Sequence, residues 1–181
     1  MNPKGGVPMA DQSVYSLWIR PHGDLAHKLQ DHINRLSENH NTPKFEPHLT
    51  LLGGLTTNES ELVSFTDVLA HTLSPFSIYL TEIGRGSDYY HCVFVKAKKT
   101  KPLMHAHETA AKVFEVDPER TYKPHVSLLY GDFDLHDKER IINKLGRSYD
   151  TEFKARNLLL VNTTGTPEQW EKIHLVDFTS G

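Results

Sequence analysis

Apolar and polar positions along this chain alternate between a period near two and a period near 3.6, segment after segment. Val14 to Arg20 is rich in β-branched and aromatic residues and stops at Pro21, which predicts a strand. Beyond Gly23, Leu25, Leu29, Ile33 and Leu36 recur at helical spacing, so an amphipathic helix runs to about His40. Phe45 to Leu52 reads as a second strand. Asn58 with Glu61 offers a capping box before Leu62, Phe65, Leu69 and Leu73, predicting a second helix that stops before Pro75. Two strands follow, Phe76 to Ile83 and Tyr90 to Ala97, joined as a hairpin through Gly84, Gly86 and Asp88. A third helix is expected from about Pro102 to Phe114, a strand from His125 to Tyr130, and a short helix from Asp137 to Leu145 that Gly146 can end. Phe153 to Asn162 and Trp170 to Asp177 read as closing strands separated by a Thr-Gly-Thr-Pro turn. The predicted class is α+β: two similar half-domains, each an antiparallel sheet with helices on its outer face. Residues 1–12, rich in Gly and Pro, are expected to be a loose leader, with Met9 as an alternative start, and residues 13–181 a single bilobal domain.

Sliding the chain against itself exposes a repeat. Pro47-His48-Leu49-Thr50-Leu51-Leu52 matches Pro124-His125-Val126-Ser127-Leu128-Leu129, and Gly54 aligns with Gly131. In an extended strand residues i and i+2 share a face. Each copy therefore points a histidine and a hydroxyl one way, while Leu49, Leu51, Val126 and Leu128 face the opposite side. If the halves are related by an approximate two-fold axis, two imidazoles and two hydroxyls meet from opposite sides of one point. A phosphoryl group undergoing in-line displacement suits such a site, because one oxygen loses a proton while the opposite one gains it. With an unperturbed pKa near 6.5, one imidazole can act as base and the other as acid. Thr50 and Ser127 would hydrogen-bond the non-bridging oxygens. No metal or other cofactor is required by this chemistry.

Two His-x-Thr/Ser motifs in hydrophobic strands, roughly 80 residues apart, resemble those of the 2H phosphoesterase superfamily. Tyr15-Ser16-Leu17-Trp18, Tyr90-His91-Cys92-Val93-Phe94 and Tyr122-Lys123-Pro124-His125-Val126-Ser127-Leu128-Leu129-Tyr130 are similar to segments of the cyclic phosphodiesterases of plants and yeast. The resemblance implies a bilobal fold, no metal cofactor, and hydrolysis of ADP-ribose 1″,2″-cyclic phosphate to ADP-ribose 1″-phosphate. It also implies opening of nucleoside 2′,3′-cyclic phosphates to 2′-phosphates, a reaction tied to by-products of tRNA splicing. By the same resemblance His48 and His125 are the acid and base and Thr50 and Ser127 the phosphate ligands. Trp18 and Tyr130 fall at aromatic positions lining the cleft, and Tyr90 and His91 belong to the middle motif, where some relatives carry Phe-Gln. Two other functions stay open: an RNA-end enzyme that opens terminal 2′,3′-cyclic phosphates or joins 2′,5′ ends, and a nucleotide-binding module without turnover.

Composition narrows the choice. Among 181 residues, 20 Lys and Arg stand against 23 Asp and Glu, a net charge of −3. That argues against a groove for long nucleic acid. No apolar run approaches a membrane span; the partner that the resemblance implies is a small nucleotide or ADP-ribose cyclic phosphate, and a monomer is expected. Cys92 is the single cysteine and lies in an apolar alternation, which favours a reducing, cytoplasmic setting and a buried hydrophobe rather than a nucleophile. His105 and His107 would project about 200° apart on a helix, a poor geometry for a shared metal. Lys96, Lys98, Lys99 and Lys101 crowd a strand-to-helix junction, read as a solvated loop with some capacity to attract a pyrophosphate. Lys123 stands two residues before His125. Trp170 reads as core rather than as a base-stacking platform.

Overall fold

A computed structural model describes residues 12–118 and 121–179, so all but Gln12 of the expected leader lies outside the described residues. The elements follow the alternation of the sequence: β1 (Tyr15–Ile19), α1 (Gly23–His40), β2 (Leu49–Leu55), α2 (Glu59–Thr72), β3 (Phe76–Arg85) and β4 (Val93–Ala97) come first. They are followed by α3 (Lys101–Val113), β5 (His125–Leu129), α4 (Leu135–Leu145), β6 (Ser148–Ala155), β7 (Asn157–Asn162) and β8 (Glu171–Asp177). Helix starts are set by short polar caps: Asn58 Oδ1 accepts from the Ser60 amide, Thr100 Oγ1 from Leu103, and Asp134 Oδ1 from Asp137. Because Asp134 caps the fourth helix, it begins two residues earlier than the expected Asp137. No helix among the described residues is long and apolar enough to cross a membrane.

All eight strands join one antiparallel sheet in the order β6-β3-β4-β5-β2-β1-β7-β8. The expected lobes are its two four-stranded halves, and they meet at β2 and β5 through one registered pair, Leu49 opposite Val126. That pair is the same position of the two repeat copies, so the local two-fold runs through it. Continuing the antiparallel register one step either way sets His48 opposite Ser127 and Thr50 opposite His125. Leu49, Leu51, Val126 and Leu128 are fully buried in the core with Leu29 and Ile33 of α1, Leu62 and Leu69 of α2, Leu103 of α3 and Ile141 of α4. The connecting helices cross over: α1 joins β1 to β2 yet packs on β5, and α3 joins β4 to β5 yet packs on β2. Each half therefore covers the central strand of the other.

Three segments depart from the sequence reading. Phe45 to His48 is irregular and β2 starts at Leu49, because Pro47 has no amide for a ladder. Tyr90 to Cys92 form a turn rather than the start of β4. Gly86 N–H donates to the Cys92 carbonyl, and His91 N–H is shared by the Asp88 carbonyl and Oδ1, bonds that close a turn there. The single strand expected over Phe153 to Asn162 breaks at Arg156 into β6 and β7, which sit in opposite halves of the sheet.

Beyond the one registered pair, side chains take over part of the hydrogen bonding of β2. Tyr122 Oη–H donates to the Thr50 carbonyl at 2.8 Å, and His107 Nδ1–H donates to the Leu51 carbonyl at 2.9 Å. The two rings are stacked at 3.9 Å, and His107 is 2% exposed. Replacing His107 with Leu should leave a buried carbonyl without a donor and cost about 1–3 kcal/mol, read as a lowered urea midpoint at constant slope. An undiminished midpoint would remove this residue from the seam.

Candidate active site

The cleft opens on the sheet face opposite the leucines, has a volume of about 710 Å³, and is lined by His48, Thr50, His125 and Ser127 together. The repeat thus brings its two histidines and two hydroxyls into one cavity. Each imidazole is tied in the same way. His48 Nδ1–H donates to the Glu46 carbonyl at 2.7 Å, and His125 Nδ1–H donates to the Lys123 carbonyl at 2.7 Å. A carbonyl can only accept, so Nδ1 carries the proton and Nε2 of each neutral ring keeps its lone pair.

Strand register sets an aromatic ring beside each motif. On β1, Trp18 pairs with Thr50 and stacks on His48 at 3.5 Å with 6° between the planes. On β4, Phe94 pairs with Ser127 and lies 4.9 Å from the His125 ring. Phe94 is the counterpart of Trp18 in the second half and was missed from sequence. Trp18 precedes Thr50 by 32 residues and Phe94 precedes Ser127 by 33, so the 77-position offset of the histidines (125 against 48) becomes 76 there. Trp18 itself is corrected: at 3% exposure it lies behind His48 and not on the cleft wall.

The two ends of the cleft differ. His48 is 7% exposed, closed in by Trp18, with Trp170 and Phe45 edge-on. Tyr130 lines the cleft, stacks on Phe45 at 3.8 Å and has its hydroxyl in hydrogen-bonding reach of Ser127. Burial raises the Tyr130 pKa, so its hydroxyl stays protonated. Trp170 packs with Trp18, Leu159 and Val161, as the sequence reading of a core tryptophan has it. His125, by contrast, is only partly buried, and His91 lies over it at 4.2 Å between centroids. His91 Nδ1 is 3.4 Å from Asp88 Oδ2.

The β3–β4 turn carries Tyr90 and His91 into the site. Tyr90 is 48% exposed at the cleft and its carbonyl accepts from Ser127 Oγ at 3.2 Å. The turn is held from below by Lys138, whose buried Nζ donates to the Gly86 carbonyl at 3.0 Å. Gly86 allows this close packing, since a Cβ there would stand 2.4 Å from the His91 carbonyl oxygen. Lys138 has no local sequence signal, because its partner Gly86 is distant in the chain, and Tyr122 shows in sequence only as the first residue of the segment around His125.

Burial is the main cause that lowers both imidazole pKa values to about 4, and each is lowered further by a neighbouring histidine, His125 for His48 and His91 for His125. The carbonyl hydrogen bonds oppose this in part. Cys92 is fully buried and its pKa is pushed up to about 11, chiefly by burial, which matches a hydrophobe rather than a nucleophile. His105 is exposed while His107 is buried under β2, so the pair does not converge on a metal.

Comparison with known proteins follows the same lines. The family described as cyclic phosphodiesterase-like protein matches residues 13–178. A cyclic phosphodiesterase of Arabidopsis thaliana is 25% identical over 169 residues, covering 90% of this chain and 93% of the relative. A 2′,3′-cyclic-nucleotide 3′-phosphodiesterase of Yarrowia lipolytica is 24% identical, covering 90% and 99%. Among solved structures, the Thermus thermophilus protein TT0787 superposes with a TM-score of 0.67 at 14% identity, covering 92% of this chain and 98% of its own. E. coli LigT in its apo form gives 0.63 at 13% identity, with 94% and 100% covered. The structural likeness concerns the fold.

The lowered pKa values make stability depend on pH. Between about 4 and 6.5 the unfolded chain binds protons at both histidines and the folded chain does not. Their contribution is therefore complete above about pH 6.5 and is lost as pH falls toward 4. The thermal midpoint should drop across this window, and the slope should flatten in His48→Gln/His125→Gln. An equal slope in the double variant would show that the two rings are not protected from protonation.

Proposed function

The chain belongs to the cyclic phosphodiesterase-like family of 2H phosphoesterases and is an enzyme of that class, and from that footing we propose that it opens small cyclic phosphates by two-histidine acid–base catalysis. The substrate class is ADP-ribose 1″,2″-cyclic phosphate and nucleoside 2′,3′-cyclic phosphates, with ADP-ribose 1″-phosphate and nucleoside 2′-phosphates as products. The observation that carries this reading is the shared cleft wall, in which a carbonyl fixes Nδ1–H of each imidazole and, among the described residues, nothing hydrogen-bonds either Nε2.

Water attacks phosphorus in line with the ring oxygen that departs. One P–O bond forms to the water oxygen, and the P–O bond to the leaving ribose oxygen breaks. The water proton passes to a neutral Nε2, and the leaving oxygen takes a proton from the Nε2–H of the other ring. On accessibility we give the role of base, receiving the water proton, to the partly exposed His125, and that of acid, supplying the proton to the ribose oxygen, to the enclosed His48. Both rings are neutral in the free protein at pH 7, and the negative charge of the arriving phosphodiester raises their pKa values, which favours protonation of one of them. Thr50 Oγ1 and Ser127 Oγ hydrogen-bond the non-bridging oxygens as charge builds there. Tyr130 donates alongside Ser127, Tyr90 and His91 border the sugar, and Trp18 holds the His48 ring by stacking rather than by touching substrate. The net charge of −3 supports a small substrate over a polynucleotide, and the single buried cysteine suits a reducing cytoplasm.

Phosphorus NMR of adenosine 2′,3′-cyclic phosphate should show ring opening to the 2′-phosphate. His48→Ala and His125→Ala should each lower kcat by about 10²- to 10⁴-fold. Combining them should add little, as expected of groups that act as a unit. Wild-type rates in either single variant would defeat the mechanism. Binding of the cyclic phosphate without ring opening would identify a nucleotide-binding module, and turnover confined to oligonucleotide ends would identify an RNA-end enzyme.

A further inference from the structure

The two-fold that relates the motifs holds for the backbone and fails for the charge beside each ring. Glu46 and Lys123 occupy the same place, two residues before His48 and His125. The carbonyl of each accepts from its histidine's Nδ1–H at 2.7 Å. One half therefore sets a carboxylate where the other sets an ammonium.

Neighbouring strands sharpen the contrast. Lys96 of β4 is registered with His125, and one step past the Ile19–Leu49 pair the same register places Arg20 opposite His48, so a cation stands beside each motif. In the first half Arg20 Nη1 donates to Glu46 Oε1 at 2.8 Å, and Lys172 of β8 donates to Glu46 Oε2 at 2.7 Å. In the second half Lys96 pairs instead with Glu82 of β3, at 2.6 Å. Burial works to raise the Glu46 pKa, but the bonds from Lys172 and Arg20 more than offset it, so this carboxylate is both charged and fixed in place.

The ionisable groups around His48 are thus Glu46, Arg20, Lys172 and, across the cleft, His125; around His125 they are Lys123, Lys96, and Asp88 and His91 of the β3–β4 turn. Burial lowers the pKa of His48, and the Glu46 carboxylate acts against it. At His125 burial is again the main cause, with His91 lowering and Asp88 raising the value. His48 is only 7% exposed, yet it stands at about 4, level with the more open His125.

We propose that Glu46, clamped between Arg20 and Lys172, is a positioning residue that directs the catalytic proton to His48, while Lys123 at the matching place keeps His125 as the base. This rests on the functional reading above and deepens it: the sign of one side chain in each repeat copy gives the proton transfer its direction.

NMR of both imidazoles in the full chain, titrated with pH at saturating inorganic sulfate, reads each ring without turnover. In wild type His48 should titrate above His125. Glu46→Gln keeps the shape and removes the charge, so the His48 pKa should fall by about one unit. Lys172→Gln should move it upward, because Glu46 then keeps more of its field, and Lys123→Gln should raise the His125 pKa. Lys172 lies on the edge strand β8, so its replacement reads the same field if Glu46→Gln does not fold. A clamp with a purely structural role would lower the thermal midpoint in the Glu46 and Lys172 variants and shift His48 in neither. On adenosine 2′,3′-cyclic phosphate, Glu46→Gln should lower kcat about tenfold, as one unit of pKa implies, with KM within about twofold. His125 titrating above His48 in wild type, or a His48 that moves in neither variant, would overturn the proposal. Turnover with an unmoved His48 defeats the role of Glu46 alone. The expected shifts without turnover support the proton placement and defeat the hydrolytic reading, and no response to sulfate together with no turnover overturns both.

Discussion

One cross-strand pair, Leu49 against Val126, joins the two halves of the sheet, and the rest of the site depends on it. A pair of equivalent positions in antiparallel register forces local two-fold symmetry, which carries each histidine toward the hydroxyl of the other copy. A one-residue slip would turn every side chain of one motif to the opposite face, exchanging His and Ser for Val and Leu. The slip is resisted because Leu49, Leu51, Val126 and Leu128 would each leave a dry core. The crossed helices add to this, since α1 rests on β5 and α3 on β2. Hydrophobic burial on one face thus fixes polar chemistry on the other.

The short seam also explains why there is a cleft. A longer β2–β5 ladder would close the sheet across the site. Here His107 and Tyr122 satisfy carbonyls of β2 that a longer pairing would have involved. The same enclosed, aromatic surroundings lower the pKa values of both imidazoles. The site is therefore poised without charge on its two histidines.

Much of this is legible in sequence because strand periodicity is local. The repeat of His48-x-Thr50 and His125-x-Ser127 predicts both the shared face and the buried leucines, and the structure shows each. The helices are legible for the same reason, with apolar spacing and short polar caps setting them within a few residues. What stays hidden is non-local. Phe94 matches Trp18 only through strand pairing, because the connection to the paired strand is one residue longer in the second half. Lys138 supports the Tyr90–His91 turn from another element, and the split of Phe153–Asn162 at Arg156 has no strong breaker to announce it. Lys99 reads in sequence as part of a solvated loop, because charge alone does not say which cavity it borders.

The most direct measurement follows both imidazoles by NMR as inorganic phosphate is added to the full chain. His48 and His125 should respond along one saturation curve with a single Kd, both pKa values should rise from about 4, and replacing either ring should weaken the response of the other. Response of only one ring, or two unrelated affinities, would mean that the repeated motifs do not converge on one anion.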